Sequence, residues 1–215
     1  MSRKRLSQIE RRTQIVDVAM RLFASKGFKG TTTRAIATAA GVSEAIIFRH
    51  FETKEDLYNA IIAHTIELRS QLWDSIDAHI QPPQDLPAVM RDYAQTFVRL
   101  NRNDPTFIRL MMYSSLEDHQ FRTNFFATIR SSRQSAIRKA IENSIKRGEI
   151  RSVDASLTTR TFFHALLQYS VSAFISSSTP PPPEADQLMI DNLITIFLNG
   201  LKTTSEHPLP VQNTP

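Results

Sequence analysis

The chain has 215 residues, of which 41% are hydrophobic and 22% charged, enough apolar material for a packed core of one or two domains and incompatible with a wholly disordered chain. It has no Cys, which excludes disulfide scaffolds, thiolate metal sites and cysteine nucleophiles. Its 5 Gly are too few to supply both glycine-rich phosphate loops and the turns of an all-β fold, so an all-α protein is favoured. The basic excess is uneven. Met1 to Arg69 carries 12 basic and 7 acidic residues, whereas Ser70 to Pro215 carries 14 of each. All of the formal +5 charge therefore falls in the first third, the pattern of a polyanion-facing module on a neutral body or, alternatively, of a solvated basic helical face.

Helical punctuation recurs along the chain, and about nine helices are predicted. Val16, Ala19, Met20 and Phe23 recur at helical spacing, and Gly27 stops this first helix. Thr32 caps a short second helix through Ala40, Gly41 breaks it, and Ser43 caps a third that runs to about His50. Thr53 to Asp56 has the form of a capping box opening a long fourth helix that ends before Pro82-Pro83. At 1.5 Å per residue it reaches roughly 40 Å, long enough to join two functional regions.

Asp85-Leu86-Pro87 opens a fifth helix and Asp104-Pro105 a sixth. A seventh is expected from near Phe121 to Lys146, stopped by Gly148. An eighth after Asp154 carries a stripe through Phe162, Ala165, Leu166, Tyr169 and Ala173. Beyond the rigid run Pro180 to Pro183, a ninth places Ile190, Leu193, Ile194, Phe197 and Leu201 on one face. The tail after Glu206 is polar and proline-rich, and disorder is expected there. Neither Asp17 and Arg21 near the start nor the polar stretch from Thr161 permits a signal segment or a membrane span, so a cytoplasmic location without membrane contact is expected.

The stretch Thr33 to Phe51 fits a helix-turn-helix. Ala37 is small where two helices cross, Gly41 suits a positive φ, and Ile36, Ala40, Val42 and Ile47 supply an apolar seam. Ser43 starts the second helix at the surface, where its first turn can enter a major groove. Taken in order, Gly27-Phe28-Lys29-Gly30-Thr31-Thr32-Thr33, Ile36-Ala37, Ala40-Gly41-Val42-Ser43, Phe48-Arg49-His50-Phe51 and Lys54-Glu55-Asp56-Leu57 resemble the DNA-binding signature of TetR-family transcriptional regulators over residues 10 to 60. Ala45 departs from the Gly that many relatives carry, which bears on operator choice.

The resemblance implies a homodimeric, ligand-responsive repressor that binds double-stranded operator DNA. Residues 1–53 would form the DNA-binding head, 54–204 the effector-binding and dimerisation domain, and 205–215 a disordered tail. By motif position it implies that Thr33, Arg34, Ser43, Ala45, Ile46, Phe48, Arg49, His50 and Lys54 face DNA. Their chemistry agrees. Arg49 can donate two bonds to guanine O6 and N7, Ala45 and Ile46 can only meet a thymine methyl, and Thr33, Ser43, His50 and Lys54 suit phosphate. Two readings stay open for Phe48, DNA contact or core packing, and two for Lys54, phosphate contact or solvated lysine. Arg3, Lys4 and Arg5 either enter a minor groove or form a basic tail.

For the unknown small-molecule effector, the apolar candidates are Trp73, Tyr93, Phe97, Met111, Tyr113, Phe126 and Phe163; Tyr93 and Tyr113 with His164 and Gln168 can meet its polar atoms. The predicted homodimer uses about 155–178 and 184–204, through the Ala165, Tyr169, Ala173 stripe and the Ile190, Ile194, Phe197, Leu201 stripe. No cofactor, metal site or enzyme is expected, because the six His show no ligand spacing and neither a nucleophile elbow nor a phosphate loop occurs. The alternative function is a helical dimer that sequesters a hydrophobic ligand without specific DNA binding.

Overall fold

The computed structural model describes residues 6–79, 85–117 and 135–202, all helices and connections among these residues. Helix α1 (Gln8–Lys26) starts in a capping box. Ser7 Oγ accepts from Glu10 N at 3.2 Å and Glu10 Oε2 accepts from Ser7 N at 2.8 Å. The Ser7 N–H bond first, and then the Ser7 side chain, hold the Glu10 carboxyl below its usual range. At its other end the Gly27 N–H donates to Phe23 O from a backbone at φ 72°.

Helix α2 (Thr33–Ala40) is capped by Thr32, whose Oγ1 accepts from Ala35 N at 3.1 Å. It ends in a Schellman arrangement, with Val42 N on Ala37 O and Gly41 N on Thr38 O. Gly41 sits at φ 66°, ψ 37°, and a Cβ there would meet nothing within 4 Å. Gly41→Ala is therefore expected to cost only the left-handed backbone penalty, about 1–2 kcal/mol, read as a fall in unfolding free energy. A change near zero would show that the turn tolerates a side chain. Helix α3 (Glu44–His50) follows after Ser43, whose carbonyl takes Ile46 N and Ile47 N while its hydroxyl makes no capping bond.

Helix α4 (Lys54–His79) opens on the expected box, with Thr53 N on Asp56 Oδ2 and Asp56 N on Thr53 Oγ1, both at 3.0 Å. Helices α5 (Leu86–Asn103) and α6 (Thr106–Leu116) follow. The α6 N-cap is Pro105 rather than the predicted Asp104, which accepts from Thr106 N through Oδ1 instead. Helix α7 is described as Ser135–Lys146, and the predicted start near Phe121 lies outside the described residues. Helix α8 (Ala155–Val171) passes into a π-helical turn at Ser172–Ser176, and α9 (Pro183–Leu201) closes the fold. The predicted tail at 205–215 is also outside the described residues.

Two cores organise these helices. The first joins Ile15, Ala19 and Phe23 of α1 to Ile36 and Ala37 of α2, Ile47 of α3, and Leu57, Tyr58 and Ile61 of α4. It also takes in Leu110 and Met111 of α6, so a helix from the body completes the head core. The second packs Val89, Met90 and Tyr93 of α5 against Ile137 and Ile141 of α7, Phe162 and Leu166 of α8, and Ile190 and Ile194 of α9. Polar ties join α5 to α9 on its flank. Arg91 pairs with Asp191, Gln95 donates to Gln187, and the buried Asp186 accepts from both Arg102 and the Tyr169 hydroxyl. Burial, then the Asp186 bond, push the Tyr169 hydroxyl above its usual range.

The two stripes assigned above to dimer contact pack mainly within the chain. Ile190, Ile194 and Leu201 are buried, Phe197 meets Phe162 edge-on at 5.3 Å, and Tyr169 is spent on Asp186 and Phe174. The periodicity marked the inward faces correctly, but the partner they meet is the same chain. The outward faces carry Leu157 on α8 and Leu188 and Ile196 on α9.

Candidate nucleic-acid interface

Helices α1 to α3 form the head. Gln14 Nε2 donates to Ala40 O at 3.3 Å, tying the end of α2 to α1, and Arg12 lies 4.7 Å over the Phe51 ring, tying α1 to the end of α3. This support leaves Arg34, Ser43, Ala45, Phe48 and Arg49 exposed and Thr33, Ile46, His50 and Lys54 half-buried. The open question at Phe48 is settled in one respect: with 48% of its surface exposed it is not a core residue. Ile46 is partly packed against the head core, so only part of its side chain is free for a base methyl. The His50 ring lies 6.5 Å from that of Phe51.

Two of these residues are already engaged. The Thr33 hydroxyl donates to Glu44 Oε2 at 2.8 Å, and since a phosphate only accepts, a Thr33 phosphate contact requires this bond to be exchanged. The Lys54 ammonium lies 4.0 Å from the Phe28 ring centroid and 6.0 Å from that of Phe23, and burial lowers its pKa. It is neither a free solvated lysine nor a side chain extended toward solvent. Arg3, Lys4 and Arg5 lie outside the described residues.

Glu44 escaped sequence reasoning because an acidic residue runs against the search for basic contacts. On the first turn of α3 its carboxylate is an acceptor beside Ala45, suited to a cytosine amino group and unsuited to phosphate.

The effector candidates separate into groups. Tyr93 and Phe163 meet edge-on at 5.9 Å, and Phe97 and Phe163 at 6.4 Å, making one aromatic cluster between α5 and α8. Met111 and Tyr113 are elsewhere: Met111 is in the head core and the Tyr113 hydroxyl donates to Ser25 O at 3.2 Å. His164 and Gln168, one turn apart, are exposed on the outer side of α8, away from the buried Phe162 and Leu166. Phe126 lies outside the described residues, and only the backbone of Trp73 is described, on α4. Among the described residues no group of three His, Asp or Glu is arranged to hold a metal ion.

A three-helix head presenting α3 outward, completed by a helix of a larger helical body, defines a helix-turn-helix DNA-binding regulator. Comparison with known proteins places it further. Residues 15–61 match the family model for bacterial regulatory proteins of the tetR family, and residues 85–200 match that for the C-terminal domain of AefR-like transcriptional repressors. The chain belongs to the TetR family of transcriptional regulators.

Among curated relatives, the HTH-type transcriptional regulator LuxR of Vibrio harveyi is 24% identical over 200 residues, covering 93% of this chain and 92% of LuxR. Among solved structures, FadR from Bacillus subtilis in complex with stearoyl-CoA aligns with a TM-score of 0.71 at 16% identity, covering 88% of this chain and 98% of that one. AibR in complex with isovaleryl coenzyme A and operator DNA aligns with a TM-score of 0.67 at 19% identity, covering 87% and 97%. At these identities the structural likenesses speak for the fold. No described helix is long and apolar enough to cross a membrane.

Proposed function

We propose that this regulator is a cytoplasmic, non-enzymatic repressor that binds a palindromic operator as a homodimer and is released by a small, largely hydrophobic effector. The head on residues 1–53 and the body on 54–204 divide these tasks, with Arg34, Ser43, Ala45, Phe48 and Arg49 as the DNA-facing set and Thr33, Ile46, His50 and Lys54 at its margin. The observation that carries the reading is the α3 surface, where the exposed Phe48 and Arg49 lie one turn beyond the exposed Ala45 on a helix anchored in the head core by Ile47. The aromatic cluster of Tyr93, Phe97 and Phe163 supports a largely apolar effector site in the body.

Acyl-CoA thioesters are the first probes to use, since stearoyl-CoA and isovaleryl coenzyme A are bound by structural relatives. With each, operator affinity is measured by anisotropy with and without the thioester. Release predicts a weakening of about 5- to 150-fold, and operator DNA must weaken thioester binding by the same factor. A thioester that binds equally well to free and operator-bound protein is not an effector; one that binds the complex more tightly is a corepressor.

Lys54 gives a separate expectation. Its place at the start of α4, beside the head surface, suits a phosphate contact if the ammonium leaves the Phe28 ring. Lys54→Gln should then weaken all DNA sequences alike and make the salt slope shallower by about one unit. An unchanged slope with a lowered melting temperature would assign Lys54 to the aromatic contact alone.

A further inference from the structure

The last turn of α6 is seated on the turn that leads from α1 into α2. The Glu117 carboxylate, just past the end of α6, accepts from Phe28 N through Oε2 at 2.8 Å and from Lys29 N through Oε1 at 3.2 Å. One turn earlier, the Tyr113 hydroxyl reaches Ser25 O. The socket for both is made by a missing side chain. A Cβ at Gly27 would lie 2.6 Å from Glu117 Oε1 and 2.8 Å from Tyr113 Cδ1, closer than such atoms approach. Gly27 thus does more than end α1. Its bareness admits a carboxylate from a residue 90 positions along the chain.

The other flanks of α6 pack against α5 and α8, the helices that carry Tyr93, Phe97 and Phe163. One short helix therefore packs against the two body helices that carry the aromatic cluster and, at its end, against the entry to the helix-turn-helix. Leu110 and Met111 of α6 pack into the head core, and the Glu117 carboxylate adds to that packing two directional, charge-assisted bonds to the Phe28 and Lys29 N–H groups.

We propose that Glu117 is a positioning residue for operator recognition: through Phe28 and Lys29 it sets the angle of the head on the body, and hence the distance between the two recognition helices of a dimer. It touches no DNA itself. The inference rests on the proposed dimeric, palindrome-binding reading. Contacts inside the head, such as Gln14 to Ala40 and Thr33 to Glu44, do not involve Glu117, so the bases read by each half are independent of it.

The test uses the full-length protein and a pool of duplexes carrying two inverted half-sites with spacers varied over roughly ten base pairs, one turn of the duplex. The wild type should enrich one spacing. Glu117→Gln keeps the shape but has a single acceptor oxygen and turns an amide N–H₂ toward a backbone donor. It should broaden selection to neighbouring spacings, with half-site bases unchanged and affinity for the wild-type spacing lowered about tenfold. Glu117→Ala should broaden it further; should that variant fail to fold, the isosteric one decides. A merely stabilising role would lower the melting temperature and leave the preferred spacing as it was. A single spacing shared by wild type and Glu117→Gln would overturn the inference alone, whereas a wild type that enriches no inverted repeat would overturn it together with the dimeric reading.

Discussion

Replacing Leu188 and Ile196 together by Asp should convert the protein to a folded monomer at micromolar concentration and lower operator affinity about a thousandfold, toward the level of non-specific binding. Leu188 is 72% exposed and Ile196 60%, two turns apart on α9, while the opposite face of that helix is buried through Ile190 and Ile194. Leu157, 52% exposed, sits on the outer face of α8, with Thr161, His164 and Gln168 following on the same face. Covering each such side chain is worth about 1.5–3 kcal/mol, and a carboxylate in its place would have to be desolvated unpaired. Sedimentation gives the mass and anisotropy the affinity. A dimer that survives both substitutions would move the interface away from these helices. Tyr169 and Phe197, which periodicity alone would choose, are poorer probes, because charges there would break the Asp186 bond and the Phe162 contact inside the chain.

Phe23→Ala should lower the unfolding free energy by about 3–5 kcal/mol, the range for emptying a fully buried aromatic site. Phe23 has no exposed surface; it stacks on Phe28 at 5.6 Å and meets Tyr58 edge-on at 5.1 Å, with the Lys54 ammonium 6.0 Å away. The cavity would open beneath Phe28, whose N–H holds Glu117, so operator binding should fall along with stability. Urea unfolding of the two proteins checks this. A loss below about 1 kcal/mol would mean that the surrounding rings collapse into the space and that the head is less rigid than its packing indicates.

The elements that sequence reasoning placed well are those whose signals are local. Ser43, Thr53 with Asp56, Asp85 and Asp154 each stand at a helix start, and Gly41 lies in the left-handed conformation that its place between two short helices demanded. Such signals act over three or four residues and survive whatever the rest of the chain does. The contacts that escaped join residues far apart: Phe28 to Glu117, Arg102 to Asp186, Arg91 to Asp191. The two ion pairs join residue types that are common on helix surfaces, so nothing in their spacing distinguishes them from solvated charges, and the Glu117 contact uses a backbone N–H, which every residue but proline carries.

A similar blindness affected the body. Helical periodicity reports which face is apolar, not whether it meets its own chain or another, so the inward stripes of α8 and α9 read equally well as faces for a partner. Size and apolarity alone place Met111 and Tyr113 among the cavity-lining candidates, yet α6 turns them toward the head. At the interface the exposed positions of α3 were legible from the motif, whereas Glu44, which engages Thr33, lacked the charge that a search for DNA contacts looks for.

Helix α3 is proposed to read base edges, with Arg49 as the residue that donates to them. The measurement is binding-site selection from random duplexes, run side by side for the wild type and Arg49→Ala. The wild type should enrich an inverted repeat, and the variant should keep this repeat but lose preference at one symmetric base pair, at a cost of about 1–3 kcal/mol there. Identical base preferences for the two proteins would remove Arg49 as a base reader, and enrichment of no sequence by the wild type would remove α3 as one.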